Sequence, residues 1–214
     1  MLNFKKTSII FIIVTLITII ICITLGVDFA YLIPIVFVYI ALMVLGSINI
    51  CSQFYLDAEC ESSNKSKIHL TFDDGPNPET TTRILDILKT NNIQGTFFCI
   101  GSKIEAHPEI IKRISEEGHT IGNHSFSHSN FFPLFRTKKV TEELEKTNEL
   151  IQKITGKQCT LFRPPFGVTN PNIAKAVKKL GMHVIGWNVR TLDTVSDKDI
   201  VFEKLQRAIP GDII

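Results

Sequence analysis

The stretch Thr71-Phe72-Asp73-Asp74-Gly75-Pro76 places two adjacent carboxylates where an apolar run through Ile68, Leu70 and Phe72 gives way to a Gly-Pro turn. Neighbouring side chains of a strand point to opposite faces, but a turn at the strand exit can bring both acids to one site. There they can divide the work of metal ligand and general base. Taken alone, Asp-Asp-Gly-Pro reads first as a capped strand end with solvated acids, because turn chemistry selects the same residues, and the rest of the chain reverses that reading. The stretch His124-Ser125-Phe126-Ser127-His128 adds two imidazoles four residues apart, the spacing of one helical turn, so that both can reach one ion. With Asp74 they supply two nitrogens and one carboxylate oxygen, leaving positions open for water and substrate as a catalytic zinc-like site requires. Cobalt, nickel, manganese or iron would accept the same set, so the ligands narrow the divalent metal without naming it. His69, His107, His119 and His183 have no comparable spacing and read as core or surface histidines.

A third group is Arg163-Pro164-Pro165-Phe166-Gly167. Arginine before proline is held extended, which aims its side chain forward where it can bind and orient a carboxylate. The prolines have no N–H, so the first free backbone donors after Arg163 are those of Phe166 and Gly167, placed to hold a developing oxyanion. A rigid proline turn after a strand is the plainer alternative.

These residues need a scaffold that gathers them. From Ile68 onward, short apolar runs alternate with amphipathic helices: strands ending at Asp74, over 95–100, 119–124, 160–163 and 184–189, and helices over 79–91, through Ile110 and Ile114, over 137–155 and 170–180, and through Ile200 and Leu205. Such alternation implies parallel strands with right-handed crossovers, hence an α/β barrel or a doubly wound sheet. Asp73, Asp74, His124, Arg163 and Asp193 each fall at or beyond the carboxyl end of a successive strand, and a barrel gathers those ends around one mouth.

Ahead of this series, one charged residue, Asp28, lies between Lys6 and Asp57. It splits the segment into runs of about 20 residues, 8–27 and 29–50, each long enough to span a bilayer. Two transmembrane helices joined by a tight turn are expected; a signal peptide is the alternative for the first run, but its apolar core is too long and a second follows at once. The expected organisation is a membrane anchor over 1–56, a linker over 57–67 and a catalytic domain over 68–214. Lys5 and Lys6 favour a cytoplasmic N-terminus, and a two-helix hairpin would then return the rest of the chain to the cytoplasm, but this signal rests on two residues. The 23 basic and 21 acidic side chains nearly balance, which argues against a nucleic-acid partner. The five cysteines show no disulfide framework or CxxC pair and read as buried or incidental thiols.

TFDDGP, HSFSH and RPPFG, in that order within an α/β series, resemble the first three signature motifs of the polysaccharide deacetylase family, the NodB-homology carbohydrate esterases. The resemblance runs from about Ile68 to Ile214. It implies a deformed (β/α) barrel and metal-dependent removal of acyl groups, usually N-acetyl, from amino sugars of a glycan. It makes Asp73 the general base, Asp74, His124 and His128 the ligands of a divalent metal, zinc first, Arg163 the residue orienting Asp73, and the Phe166 amide the oxyanion donor. Two departures stand out. The family's acid histidine lies on a strand for which Gly211-Asp212-Ile213-Ile214 looks like the lead-in, so the C-terminal strand is expected to be missing and the sheet edge left open. The segment Trp187 to Asp193 resembles one that normally ends Asp-Trp, with Thr194 in place of the tryptophan; Asp193 is expected to keep the family role of orienting the acid. The expected protein is a membrane-anchored glycan N-deacetylase with its domain facing the envelope, because a glycan substrate places it there against the signal of the two lysines. The alternatives are a hydrolase of another acyl amide or ester, and a glycan-binding protein with an inactive deacetylase fold. The oligomeric state is left open.

Overall fold

The computed structural model describes residues 3–191 and 196–214. Two helices open the chain, α1 (Phe4–Leu25) and α2 (Leu32–Ile48), the second entered through a 3-10 turn over Phe29–Tyr31. Asn3 caps α1 by accepting from the Lys6 N–H at 3.0 Å, and Gly26 ends it in the left-handed region at φ 65°. Both spans are long and apolar enough to cross a membrane, and their outer faces expose Ile13, Ile17, Phe37 and Val44.

The rest is an α/β unit around a six-stranded, all-parallel sheet: β1 (Ala58–Glu59), β2 (Thr71–Gly75), β3 (Thr96–Cys99), β4 (Thr120–Asn123), β5 (Leu161–Phe162) and β6 (His183–Ile185), in the order β1-β6-β5-β4-β3-β2. Each strand from β2 on leads to helix: α3 (Thr80–Thr90), then α4 (Gly101–Ala106) with α5 (Pro108–Glu116), α6 (Thr137–Thr155), α7 (Pro171–Leu180) and α8 (Lys198–Gln206). The helix read through Ile110 starts at Pro108, because proline is suited to the first helical position and closes off the short α4 before it. Helix α7 starts where Asn170 accepts the Asn172 and Ile173 N–H groups, with Pro171 next.

Two apolar clusters fix the helices to the sheet. Val140, Leu144, Phe162, Ile173 and Val184 join α6 and α7 to β5 and β6, while Leu85, Phe97, Ile104, Ile111 and Ile151 join α3, α4, α5 and α6 to β3. Burying each such side chain contributes about 1.5–3 kcal/mol. On that footing the strand ends, and the polar residues after them, are held in fixed register.

Three expectations change. The stretch 57–67 is no free linker, since Ala58–Glu59 joins the sheet beside β6; a two-residue strand is too short for its alternation to be legible. Cys51 and Cys60 form a disulfide with Cα atoms 5.8 Å apart, whereas Cys22, Cys99 and Cys159 are free and buried. A chain reversal between the pair brings them together, and spacing alone does not reveal it. Residues 211–214, expected to leave an open edge, are bonded on both sides. His69 and Thr71 donate to the Asp212 and Ile214 carbonyls, and Asn188 and Val189 donate to that of Ile213. The segment thereby links the β2 side of the sheet to the stretch that follows β6.

The helical hairpin is docked on this unit. Ser47 exchanges two hydrogen bonds with Thr169, accepting its N–H at 2.9 Å and donating from Oγ to its carbonyl at 2.7 Å. Phe54 lies across Gly46, where an added Cβ would come within 2.3 Å of its ring, and Ile50 enters the core cluster beside Val184.

Candidate active site

The two acids sit inside β2, not beyond its exit. A register shift between Phe72 and Gly75 marks a bulge, and Asp74 takes φ 65° there. A bulge re-aims side chains, and this one sends consecutive acids to different partners within one site. Asp73 turns to Arg163; Asp74 turns to the two histidines. Lys103, from α4, donates to the Asp74 carbonyl at 2.8 Å and holds the bulge from outside.

Arg163 follows β5 and is 2% exposed. All three nitrogens of its guanidinium are engaged. Nη1 donates to Asp73 Oδ1 at 2.8 Å and Thr71 Oγ1 at 2.7 Å, Nη2 to the Gly186 carbonyl at 2.7 Å, and Nε to the Ile185 carbonyl at 3.1 Å. The guanidinium also lies over the Phe98 ring at 4.2 Å and the Trp187 ring at 5.3 Å. Burial lowers its pKa, and the Asp73 charge and hydrogen bond oppose that shift. Orienting a carboxylate is the part the sequence assigned to Arg163; Thr71 and Trp187 lie in motif stretches, but their bracing of Arg163, like that of the two carbonyls, was not part of that reading.

His124 and His128 lie on a loop, not on a helical turn. Ser125 and His128 adopt φ 64° and 46°, and the reversal they create, rather than helical pitch, brings the imidazoles together. Ser125 Oγ accepts the His128 N–H at 3.1 Å, and Asn123 Oδ1 accepts the Ser125 N–H at 2.8 Å. The His124 and His128 Nε2 atoms stand 3.4 and 3.1 Å from Asp74 Oδ1. All three ligand atoms lie within 4.8 Å of one another.

The donor chemistry fits a metal. His124 Nδ1 is 2.7 Å from the Arg163 carbonyl, which can only accept, so Nδ1 carries the proton. In the neutral ring Nε2 then offers a lone pair toward Asp74 Oδ1, an arrangement that calls for a cation between them, and the carbonyl is the kind of outer partner that orients metal-binding histidines. Asp74 is held below the usual carboxylate range, first by the adjacent His124 imidazole and further by His128 and Lys103, against the upward push of burial. Burial, and next the neighbouring His124, keep His128 below the ordinary imidazole value. Both shifts favour the ionised carboxylate and neutral imidazole that a metal needs.

Phe166 completes the rim. Its backbone is left-handed at φ 62°, and its exposed ring lies 4.9 Å from the His128 ring. The Gly167 N–H turns inward to the Pro164 carbonyl at 3.0 Å, which removes it as an oxyanion donor and leaves that of Phe166. Gly167 is obligatory beside Trp187, because a Cβ there would come within 2.5 Å of the indole. Asp193, and Thr194 with it, lie outside the described residues.

The family model for polysaccharide deacetylase matches residues 61–185, over half of the chain. The chain belongs to the polysaccharide deacetylase family. Among its relatives in the family, a peptidoglycan-N-acetylglucosamine deacetylase of Bacillus cereus is 38% identical over 153 residues, 71% of this chain and 55% of that protein. The peptidoglycan-N-acetylmuramic acid deacetylase PdaA of Bacillus subtilis is 42% identical over 144 residues, 65% of this chain and 52% of that protein. The chain thus spans about half the length of these curated relatives. The structure of the peptidoglycan deacetylase PdaC from Bacillus subtilis superposes with a TM-score of 0.64 at 36% identity, covering 71% of this chain and 74% of that one. The parallel α/β fold is therefore that of solved deacetylases.

Proposed function

We propose that this chain is a membrane-anchored, metal-dependent N-deacetylase acting on amino sugars of an envelope glycan of the peptidoglycan class. One observation carries the reading: a carboxylate locked to a buried arginine, Asp73 on Arg163 at 2.8 Å, stands beside an adjacent carboxylate that faces two imidazoles. A structural salt bridge would need no such neighbour. The family relatives named as peptidoglycan deacetylases support the substrate class.

Asp74, His124 and His128 would hold the divalent metal, zinc before cobalt, nickel, manganese or iron. When bound, the metal supplies Lewis acidity toward the acyl carbonyl and makes water more acidic. Asp73 is the base. Arg163 fixes one of its oxygens, and the other accepts the proton of the water that attacks the acyl carbon. The Phe166 N–H donates to the oxygen that becomes negative as the tetrahedral adduct forms. Collapse of the adduct breaks the carbon–nitrogen bond, giving acetate and an amine whose nitrogen takes up the proton that Asp73 received from the water, which leaves Asp73 ionised again. The exposed Phe166 ring, near His128, offers an apolar face to the acetyl methyl or the sugar ring.

The catalytic unit begins at Ala58, and α1 and α2 span the membrane with this unit on the envelope side. The Cys51–Cys60 disulfide supports that side, since disulfides persist in oxidising compartments. A reporter fused after Ile214 that works only in the cytoplasm, and proves active, would overturn this orientation. Acetate release from N-acetylated peptidoglycan fragments by the full chain in detergent, with and without a chelator, tests the activity. Release abolished by the chelator and restored by zinc is expected. Metal uptake with no release would put the glycan-binding alternative first.

A further inference from the structure

The loop between the two histidines is held by a group with no part in the chemistry above. Glu143, on α6, is 4% exposed, yet its Oε2 accepts three hydrogen bonds from the loop: the Phe126 N–H at 3.1 Å, the Ser127 N–H at 2.7 Å and the Ser127 Oγ at 2.8 Å. Successive N–H groups converging on one oxygen form a backbone concavity of the kind that binds anions, and here the anion is the protein's own carboxylate. Its second oxygen faces Lys139, whose Nζ lies 3.5 Å from Oε1.

The loop needs such a clamp. Ser125 and His128 both occupy the left-handed region, where a non-glycine residue persists only if its surroundings over-determine it. Its carbonyl side is already fixed, because the Gly101 and Ser102 N–H groups of α4 donate to the Ser125 and Phe126 carbonyls at 2.9 Å. Glu143 fixes the amide side. Asn123, just before His124, is tied to the same helix through its Nδ2, which donates to the Leu144 carbonyl at 2.9 Å and Asn148 Oδ1 at 2.7 Å. One face of α6 thus grips the chain before His124 and again before His128.

We propose that Glu143 is a positioning residue that sets the separation and aim of the His124 and His128 imidazoles, and so the metal affinity of the site. The inference rests on the metal-centre reading given above. Without the carboxylate, two inward amides lose their acceptor, and a loop with two left-handed residues relaxes toward geometries that spread the imidazoles.

Zinc affinity of the full chain, by competition with a chromophoric chelator, together with the visible spectrum of the cobalt form, tests this without recourse to turnover. Glu143→Ala is expected to weaken zinc binding by about 10- to 100-fold, the usual effect of removing an outer partner, and to change the cobalt absorption. Glu143→Gln keeps an acceptor oxygen and is expected to recover most of the affinity, while Glu142→Gln, exposed and one residue away, matches the parent. Parent-like zinc affinity and cobalt spectrum in Glu143→Ala, whatever its melting temperature, would overturn the proposal and reduce Glu143 to a structural residue. Should the alanine variant not fold, Glu143→Asp, one methylene too short to reach both amides, decides by the same two readouts. A parent chain that takes up no zinc removes the metal-centre reading itself and this proposal with it, a result distinct from variants that merely equal a zinc-binding parent.

Discussion

Replacing Arg163 by lysine separates geometry from charge at the centre of the site. The substitution keeps a cation beside Asp73 but replaces a planar fork with a single point of contact. Arg163 now satisfies Asp73, Thr71, Ile185 and Gly186 at once, and an ammonium on a flexible stem cannot reach all four. The Ile185 and Gly186 carbonyls are the groups most exposed to the loss, and a buried polar group left unsatisfied costs about 1–3 kcal/mol. The contact with Phe98 and Trp187 weakens too, by about 0.5–2 kcal/mol. A total loss of about 3–5 kcal/mol is expected, as for other broken buried ion networks. In a chain of this size each 1 kcal/mol lowers the melting temperature by about 2–4 °C, so the shift is large enough to read by circular dichroism in detergent. Acetate release should fall further than stability does, because Asp73 loses its fixed orientation as well. A lysine variant that melts within about 2 °C of the parent, which corresponds to at most about 1 kcal/mol, would refute the view that the fork rather than the charge is what the site requires.

Other outcomes follow from the same geometry. Asp73→Asn is expected to lower kcat by about 10²- to 10⁴-fold in the acetate assay while zinc uptake is kept, because Asp74 and the histidines stay in place. Burial lowers the His119 pKa, with the Glu117 charge opposing and Arg113 assisting, so the unfolded chain takes the proton first as pH falls. Stability from His119 is therefore whole above its unfolded pKa of about 6.5 and declines below it, and His119→Gln should flatten the unfolding free energy between pH 7 and 5 relative to the parent. Reducing the Cys51–Cys60 bridge, which closes a loop of about ten residues, should cost about 3 kcal/mol in denaturant unfolding. Gly122→Ala would place a Cβ 2.4 Å from the Phe98 ring beneath Arg163, and a loss of about 1–3 kcal/mol is expected from the same assay.

Much of this arrangement was legible before the coordinates. Helix α6 runs over the stretch read from its apolar face, Thr137–Thr155, because about five turns of 3.6-residue periodicity and a terminal Gly156 leave little ambiguity. Asp74, His124 and His128 converge as their types and order suggested. The parts that escaped depend on contacts distant in sequence. Strand β1 is two residues long, the Cys51–Cys60 pairing needs a reversal with no signature, and Glu143 lies in a helix where an acidic residue ordinarily faces solvent. Its three bonds to the loop, 16 and 17 residues back along the chain, exist only once α6 has packed. The expected helical turn between the histidines failed for a local reason, since spacing specifies how far apart two side chains are along the chain and not which backbone joins them.

The junction between α2 and the sheet leaves no tether. Ser47 is bonded to Thr169, two residues past Gly167, and the disulfide at Cys51 and Cys60 packs on Gly186, whose carbonyl holds Arg163. With the helices in a bilayer, the catalytic mouth would keep one height and one tilt above the lipid instead of sweeping a hemisphere on a flexible leash. If the proposed substrate is right, encounter with it would become a search in two dimensions, confined to glycan strands lying within a shell set by the size of the domain itself. On that reading, glycan farther from the lipid than this shell would stay beyond reach.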